Sequence, residues 1–217
     1  MVDAGRDDSD LFKLEDPEDD EQAETPSRRP AALKIAMAVL GAVAIALAVT
    51  TGPTVVRIMK QKDATLEMPE QVADLKRDDS PLAKEHASDL VAILRAQITD
   101  LDSSVGAVYE EPSGDASHSV MIFGGTTMLW NPERELDTVL SFISESSEDS
   151  LKELSAVDPG PLAGVMKCGS TQMDNAPMAI CGWADHGSIA VALFPGRSPS
   201  DAANLLRALR SAAEKRQ

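Results

Sequence analysis

Four residues of this chain have side chains that could do catalytic or metal chemistry if the fold brought them together. They are the only two cysteines and two of the three histidines: Cys168, Cys181, His118 and His186. A cysteine thiolate beside a histidine is a nucleophile with its base, and two cysteines with two histidines can hold zinc. The chain has no Cys-X-X-Cys motif, no close ligand spacing and no nucleophile-elbow or phosphate-loop signature. We therefore predict no metal site and no cofactor, and keep a thiol enzyme only as an alternative.

The spacing of the two cysteines favours a structural disulfide. They are 13 positions apart, and the residues between them include the turn formers Gly169, Asp174, Asn175 and Pro177. We expect strands over 163–169 and 177–184, so that a hairpin brings the sulfur atoms of Cys168 and Cys181 together. A bridge that closes a loop of about 14 residues stabilises a fold by roughly 3 kcal/mol. Trp183 is expected to pack beside this bridge, and a ring that stacks on a ligand is the alternative.

Prolines and apolar residues predict the elements that carry these side chains. Three predicted helices begin with a capping residue followed by proline at the first helical position: Ser80-Pro81, Asn131-Pro132 and Ser198-Pro199. Short runs rich in β-forming residues predict five strands, over 105–110, 118–124, 163–169, 177–184 and 188–194. Their short connections favour antiparallel pairing. The predicted fold class is α+β in the order α-ββ-α-βββ-α, a two-layer antiparallel sheet with helices on one face.

The first 30 residues are predicted to form a disordered acidic tail. Residues 1–29 contain eleven Asp or Glu against four Lys or Arg, with few apolar residues and several prolines. Such a segment buries too little apolar surface to offset the entropy of ordering. A net charge of −16 excludes nucleic acid as the main partner, because the phosphates would be repelled. An unidentified protein partner, at this tail or at the folded domain, is the remaining expectation.

An uncharged stretch predicts a transmembrane helix. Residues 35–56 contain no charge, and a helix of that length reaches roughly 33 Å against a hydrocarbon core of about 30 Å. We expect a transmembrane helix over 31–58 in contact with the lipid bilayer, a stalk over 59–80 and the folded domain over 81–217. Positive charges flank both ends of the span, so cysteine usage sets the predicted orientation. A disulfide places the domain outside the cell membrane in an oxidising compartment and the tail in the cytoplasm.

The C-terminal sequence resembles a family. The run "KCGSTQMDNAPMAICGWADHGSIAVALFPGRSPSDAANLLRALRSAAEKR", residues 167–216, is similar to the C-terminal part of poorly characterised actinobacterial single-pass membrane proteins. Those proteins also have an acidic N-terminal tail and a Cys…Cys-Gly-Trp-Ala-Asp core. The family has no assigned activity, so the resemblance implies no catalytic residues. It does imply an extracytoplasmic position for the domain.

These observations predict a membrane-anchored, non-enzymatic interaction or sensing module of the cell envelope. An extracytoplasmic enzyme and a structural subunit of a membrane complex are the alternatives. The candidate contact surface lies in the loop "FGGTTMLWNP", whose glycines, methionine and tryptophan give adaptable apolar area. Together with the second tryptophan, its candidate residues are Gly124, Gly125, Met128, Trp130 and Trp183.

Overall fold

The computed structural model of the chain describes residues 31–112, 118–145, 152–173 and 176–216. Contacts divide the chain into two units, residues 1–46 and residues 47–217. In the first unit the described part is the beginning of the first helix, and the site discussed below belongs to the second unit. The predicted acidic tail, residues 1–30, lies outside the described residues.

Four α-helices and ten β-strands make up the described part of the chain. The helices are α1 (Ala31–Gln61), α2 (Pro81–Gln97), α3 (Pro132–Glu145) and α4 (Pro199–Ala213). The strands are β1 (Ala64–Leu66), β2 (Gln71–Val72), β3 (Leu75–Asp78), β4 (Ser103–Glu110), β5 (Val120–Thr126), β6 (Lys152–Ala156), β7 (Val165–Met173), β8 (Ala176–Ala184), β9 (Ser188–Pro195) and β10 (Glu214–Arg216). The starts of α2, α3 and α4 confirm the three predicted proline positions.

Side-chain caps explain why two of these helices begin where they do. The Ser80 hydroxyl accepts a hydrogen bond from the backbone nitrogen of Ala83, and the Ser198 hydroxyl accepts one from Asp201. Each bond satisfies a first-turn N–H that has no partner within the helix. The proline that follows each serine has no N–H to satisfy and has a φ suited to the helix.

The strands form one large antiparallel sheet, which confirms the α+β class. Its eight strands lie in the order β2-β3-β4-β5-β9-β8-β7-β6, and every neighbouring pair is antiparallel. Strands β1 and β10 form a separate two-stranded sheet. The strands predicted from the sequence correspond to β4, β5, β7, β8 and β9, with ends that differ by a few residues.

The helices cover both faces of the large sheet, so the predicted two-layer arrangement is wrong. In β8, Cys181 and Trp183 belong to a core with Leu206 of α4. Ile180 points to the opposite face and belongs to a core with Leu140 of α3 and with residues of α2. Because β8 and β9 are buried along almost their whole length, both of their faces need a covering layer. The result is three layers, with α4 on one side and α2 and α3 on the other.

The prediction of a transmembrane helix over 31–58 is also wrong. Helix α1 does occupy this region, from Ala31 to Gln61. However, no helix in the described part of the chain is both long enough and apolar enough to cross a membrane.

The predicted stalk over 59–80 also differs from the structure. It contains the end of α1 and the short strands β1, β2 and β3. Leu66, Val72 and Leu75 are buried in the core under α4. Strands of two to four residues are too short to show a reliable alternation of apolar and polar residues, and the sequence pattern therefore missed them.

Candidate functional site

Cys168 and Cys181 form the predicted disulfide, which joins two neighbouring strands of the sheet. The residues lie opposite each other in the β7–β8 ladder, with Cα atoms 4.1 Å apart. Both are fully buried in the core under α4. Because each sulfur is bonded to the other, neither supplies the thiolate that a cysteine nucleophile or a zinc ligand needs.

The two histidines of the possible zinc set are far from each other. His118 precedes β5, whereas His186 lies beyond the other end of that strand, where Thr127 N donates to the Gly187 carbonyl. The Nδ1 atom of His186 lies 2.8 Å from the Leu129 carbonyl oxygen, in a buried contact. Within the described ranges, no three His, Cys, Asp or Glu side chains are grouped so that they could hold a metal ion.

The turn between β8 and β9 is built around the Asp185 carboxylate. Its Oδ1 accepts hydrogen bonds from the backbone nitrogens of Gly187, at 2.8 Å, and Ser188, at 2.9 Å. A Cβ on Gly187 would lie only 1.8 Å from the carbonyl oxygen of Gln61, the last residue of α1. The backbone nitrogen of His186 donates to Gln61 Oε1 at 3.3 Å. Only glycine therefore fits at position 187, where the turn approaches Gln61. The contacts of the turn with Gln61 fix the end of α1.

Four charged side chains meet beside this turn and form what we call the charge cluster. They are Asp185, Arg210, Glu214 and Arg216. Arg210 donates from Nη2 to Asp185 Oδ2 and from Nε to Glu214 Oε2, both at 2.7 Å. Arg216 donates to the same two carboxylates, at 2.6 Å and 2.7 Å. The two acids and two bases balance in charge, and they join the turn between β8 and β9 to α4 and β10.

Burial controls the electrostatics of the charge cluster. The side chains of Asp185 and Glu214 have no exposed surface, and that of Arg210 is 1% exposed. Burial raises the pKa of the Glu214 carboxyl above its ordinary value of 4.5, the charge of Asp185 raises that pKa further, and Arg210 and Arg216 oppose these effects only in part. Losing one partner of a buried ion pair costs about 3–5 kcal/mol, since the other charge is left uncompensated. The charge cluster is thus a structural element.

Trp183 belongs to this closed region and not to an exposed surface. Its ring is fully buried, and its Nε1 donates to the Ser188 hydroxyl at 3.2 Å. The Arg210 guanidinium lies over the ring, 5.6 Å from the ring centroid. Both ring faces are covered by protein, so the structure favours the packing role over stacking on a ligand.

The predicted contact residues in and after β5 separate into two groups. Gly124 and Gly125 lie within β5 and are buried, and a Cβ on Gly124 would lie 2.5 Å from the Ala190 Cβ. Their role is close packing between strands. Met128 is 39% exposed and Trp130 is 79% exposed. Only Met128 and Trp130 expose surface to a partner, so the candidate contact surface is reduced to these two residues.

The segment 127–131, which we call the Trp130 loop, is held firmly although its tryptophan is exposed. Leu129 lies between Met128 and Trp130, is 4% exposed and belongs to the core under α2 and α3. Its backbone nitrogen donates to the His186 carbonyl at 3.2 Å, and the Thr127 hydroxyl donates to the Asp100 carbonyl at 2.6 Å. Leu129 is thus buried while the residues on either side of it are exposed. Trp130 is therefore an exposed ring on a fixed backbone.

A shallow groove of about 660 Å³ begins at the end of the Trp130 loop and follows α3. Asn131 lies at its start, and its side-chain oxygen accepts a hydrogen bond from Arg134 N at 3.3 Å. Phe142, which is 37% exposed, lines the groove further along α3. The groove wall also includes Asp137, whose carboxylate accepts a hydrogen bond from the Lys167 ammonium at 2.7 Å. The lining is mixed in polarity, as is usual for surfaces that contact proteins.

Comparison with known proteins gives no relative: no family model, no curated protein and no solved structure matches this chain. The resemblance of residues 167–216 to the actinobacterial membrane proteins stays a prediction.

Sequence reasoning missed the charge cluster. A local signal was present, since Arg210 and Glu214 are four residues apart at the end of a helix and Asp185 follows an apolar strand in a turn. Helical spacing predicts a contact between the first two. It gives no information on the distance to Asp185 and Arg216, which depends on how β8, α4 and β10 are arranged.

Proposed function

We propose that this domain is a non-enzymatic binding module whose Trp130 loop contacts a protein partner. The observation that carries the proposal is the exposure of Trp130, 79%, on a loop whose backbone is fixed on both sides of the ring. Isolated exposed apolar residues are common. A large ring on a loop whose backbone is already fixed is different, because burying it in an interface requires no ordering of the backbone.

The surroundings of Trp130 support a partner that is a folded protein or a peptide. Met128 adds an adaptable apolar side chain on the same loop, and the groove along α3 continues the surface with Phe142. Arg134 and Glu133 provide charges beside it. An aromatic anchor with a polar rim is the arrangement that dominates binding energy at protein interfaces.

We further propose that the domain works in an oxidising compartment. The support is the buried bridge between Cys168 and Cys181, since disulfides persist in such compartments and are rare where thiols are kept reduced. Acid quenching of cells, alkylation and intact-mass measurement should find no alkylated cysteine before reduction and two after it. Two alkylated cysteines in the unreduced sample would contradict this placement and would leave the binding proposal untouched.

Site-specific photocrosslinking tests the binding proposal directly. A benzophenone amino acid at position 130, in the full chain and in its native host, should give one discrete light-dependent adduct. The same probe at position 128 should give the same adduct, because both side chains leave the same loop. Leu82, which is 61% exposed at the start of α2, is the matched control position and should not give it.

Two outcomes would refute the binding proposal. One is an identical set of adducts from positions 130 and 82, which would indicate indiscriminate collision. The other is the absence of any light-dependent adduct at positions 130 and 128 while the protein is abundant and folded. Identification of the adduct by mass spectrometry would name the partner.

A further inference from the structure

Strand β4 has neighbours on both sides along only part of its length. Strand β3 pairs with its C-terminal end, as far as Asp78 opposite Val108, whereas β5 pairs with it back to Ser103. In the part of the chain that the structure describes, residues 103–107 of β4 therefore have a strand neighbour on the β5 side only. Alternate residues of an antiparallel edge point N–H and C=O groups outward. This stretch can accept an added strand.

Helix α2 forms the wall of a groove along this free edge. Arg95 Nε donates to the Ser104 hydroxyl at 2.8 Å, and a Cβ on Gly106 would lie 2.8 Å from the Ala87 carbonyl oxygen. The groove between helix and strand has a volume of about 610 Å³. Its other lining residues are small or apolar, and include Ser88, Val91, Ala92 and Val105. The free edge thus lies at the bottom of a groove with an apolar wall.

The charged residues that line this groove are both cations, Lys84 and Arg95. Arg95 has no ion-pair partner among the described residues, and Lys84 comes no closer to Asp79 than 3.8 Å, an exposed contact of little energetic weight. Eleven helical positions separate the two cations by roughly 16 Å, and five strand residues span about 17 Å. The cations therefore stand near the two ends of the free edge, in a chain whose net charge is −16.

We propose that this groove binds an extended acidic peptide, which adds to residues 103–107 of β4 as a further antiparallel or parallel strand. The peptide main chain would bond to the free edge, its apolar side chains would contact Val91 and Val105, and its carboxylates would pair with Lys84 and Arg95. Strand addition of this kind draws affinity from main-chain hydrogen bonds and specificity from alternate side chains. This site is separate from the Trp130 loop and does not depend on the function proposed for that loop.

A selection with random peptides tests the proposal. Heptapeptides displayed on an unstructured carrier are selected against the full chain, and the enriched sequences are made as fluorescent peptides for anisotropy. We expect enrichment of acidic residues that flank alternating β-forming residues. Methylation of the backbone nitrogens on one side of an enriched peptide should weaken binding at least tenfold, because it removes donors of the shared ladder.

Matched variants locate the site. Ala92→Trp fills the groove and should weaken binding of the enriched peptide at least tenfold. Ala96→Trp adds the same ring to an exposed position of α2 outside the groove lining and should change the affinity less than twofold. Lys84→Glu and Arg95→Glu should each weaken binding at least fivefold, whereas Arg134→Glu on α3 should have no effect.

Three results would overturn the strand-addition proposal: no enrichment over the unselected library, equal affinities of the Ala92→Trp and Ala96→Trp variants, or full affinity of the N-methylated peptide. Trp130→Ala separates this proposal from the function proposed above. Unchanged peptide affinity in that variant supports a separate site at β4. Loss of peptide binding would place the peptide at the Trp130 loop and refute the site at β4.

Discussion

The two faces of the large sheet differ in how they use their polar and aromatic side chains. Under α4, Trp183 is fully buried, both cysteines are bonded to each other, and the charge cluster satisfies its members internally. On the face of α2 and α3, Trp130 is 79% exposed and grooves of about 660 Å³ and 610 Å³ follow the two helices. The face under α4 therefore holds the fold together, whereas the face of α2 and α3 leaves surface exposed to partners.

Removal of the Arg210 guanidinium is the strongest test of the face under α4, where the charge cluster lies. Arg210→Met keeps most of the side-chain volume but leaves Asp185 and Glu214 with only one cation, so the free energy of unfolding should fall by about 3–5 kcal/mol. Urea unfolding followed by circular dichroism measures it. Arg207→Met, one turn earlier on α4 at a more exposed position, should lose less than about 1 kcal/mol. Equal decreases in the free energy of unfolding of the two variants would contradict a structural role for the charge cluster.

The two tryptophans lie on opposite faces of the sheet, so the same substitution at each one compares the two faces. Trp183→Ala opens a cavity in the core and should lower the free energy of unfolding by about 3–4 kcal/mol. Trp130→Ala removes an exposed ring and should change it by less than about 0.5 kcal/mol. Acrylamide should quench the fluorescence of the Trp183→Phe variant strongly and that of Trp130→Phe weakly. A loss of more than 2 kcal/mol in Trp130→Ala would indicate a structural ring and weaken its assignment to a contact surface.

The disulfide should contribute about as much as the lower end of the losses expected for Arg210→Met and Trp183→Ala. Replacing Cys168 and Cys181 together by alanine should lower the free energy of unfolding by about 3 kcal/mol, because the unfolded chain regains the freedom of the closed loop. Chemical denaturation with and without dithiothreitol measures this contribution. Reductant should destabilise the wild type by a similar amount and leave the double variant unchanged. A wild type that is insensitive to reductant when unfolded would be inconsistent with the bridge.

The smallest expected effect is the pH dependence contributed by Glu214. Its pKa is raised in the folded state by burial and by Asp185, so the folded protein holds this proton more tightly than the unfolded chain. The corresponding stability is fully present below the ordinary pKa of 4.5 and is lost as pH rises through the folded-state pKa. The difference in unfolding free energy between wild type and Glu214→Gln should therefore decrease as pH rises from 4.5. A difference that increases over this range would mean that the two arginines outweigh burial.

The local parts of the fold could be predicted from the sequence. The Ser-Pro and Asn-Pro pairs gave the starts of α2, α3 and α4 because capping and proline geometry act within one helical turn. The turn-rich segment between Cys168 and Cys181 gave the hairpin and its disulfide for the same reason. These features depend on neighbours in the chain.

The errors concern the number of layers that cover the sheet and the membrane span predicted for α1. From Ile189 to Phe194 every residue of β9 is apolar, which indicates a strand covered on both faces and contradicts the predicted sheet with helices on one face. The uncharged stretch of α1 predicts a membrane span, yet no helix in the described part of the chain is long and apolar enough to cross one. Within the candidate site, Trp130 could be placed in a loop from the sequence. Partial exposure of its ring is also expected there, but the extent of that exposure, 79%, depends on Leu129 reaching the core and could not be predicted.

The charge cluster also has a consequence for the order in which the domain assembles. The hairpin of β8 and β9 involves residues close in sequence, whereas the partners of Asp185 come from α4 and β10, and β10 pairs with β1 far earlier in the chain. We expect contacts between distant segments to form later than local ones, because closing a longer loop costs more entropy. Before Arg210 and Arg216 contact the Asp185 carboxylate, burying that carboxylate has a large cost in free energy, because its charge is unpaired. A chain truncated before α4 would therefore keep its core open and be exposed to proteases.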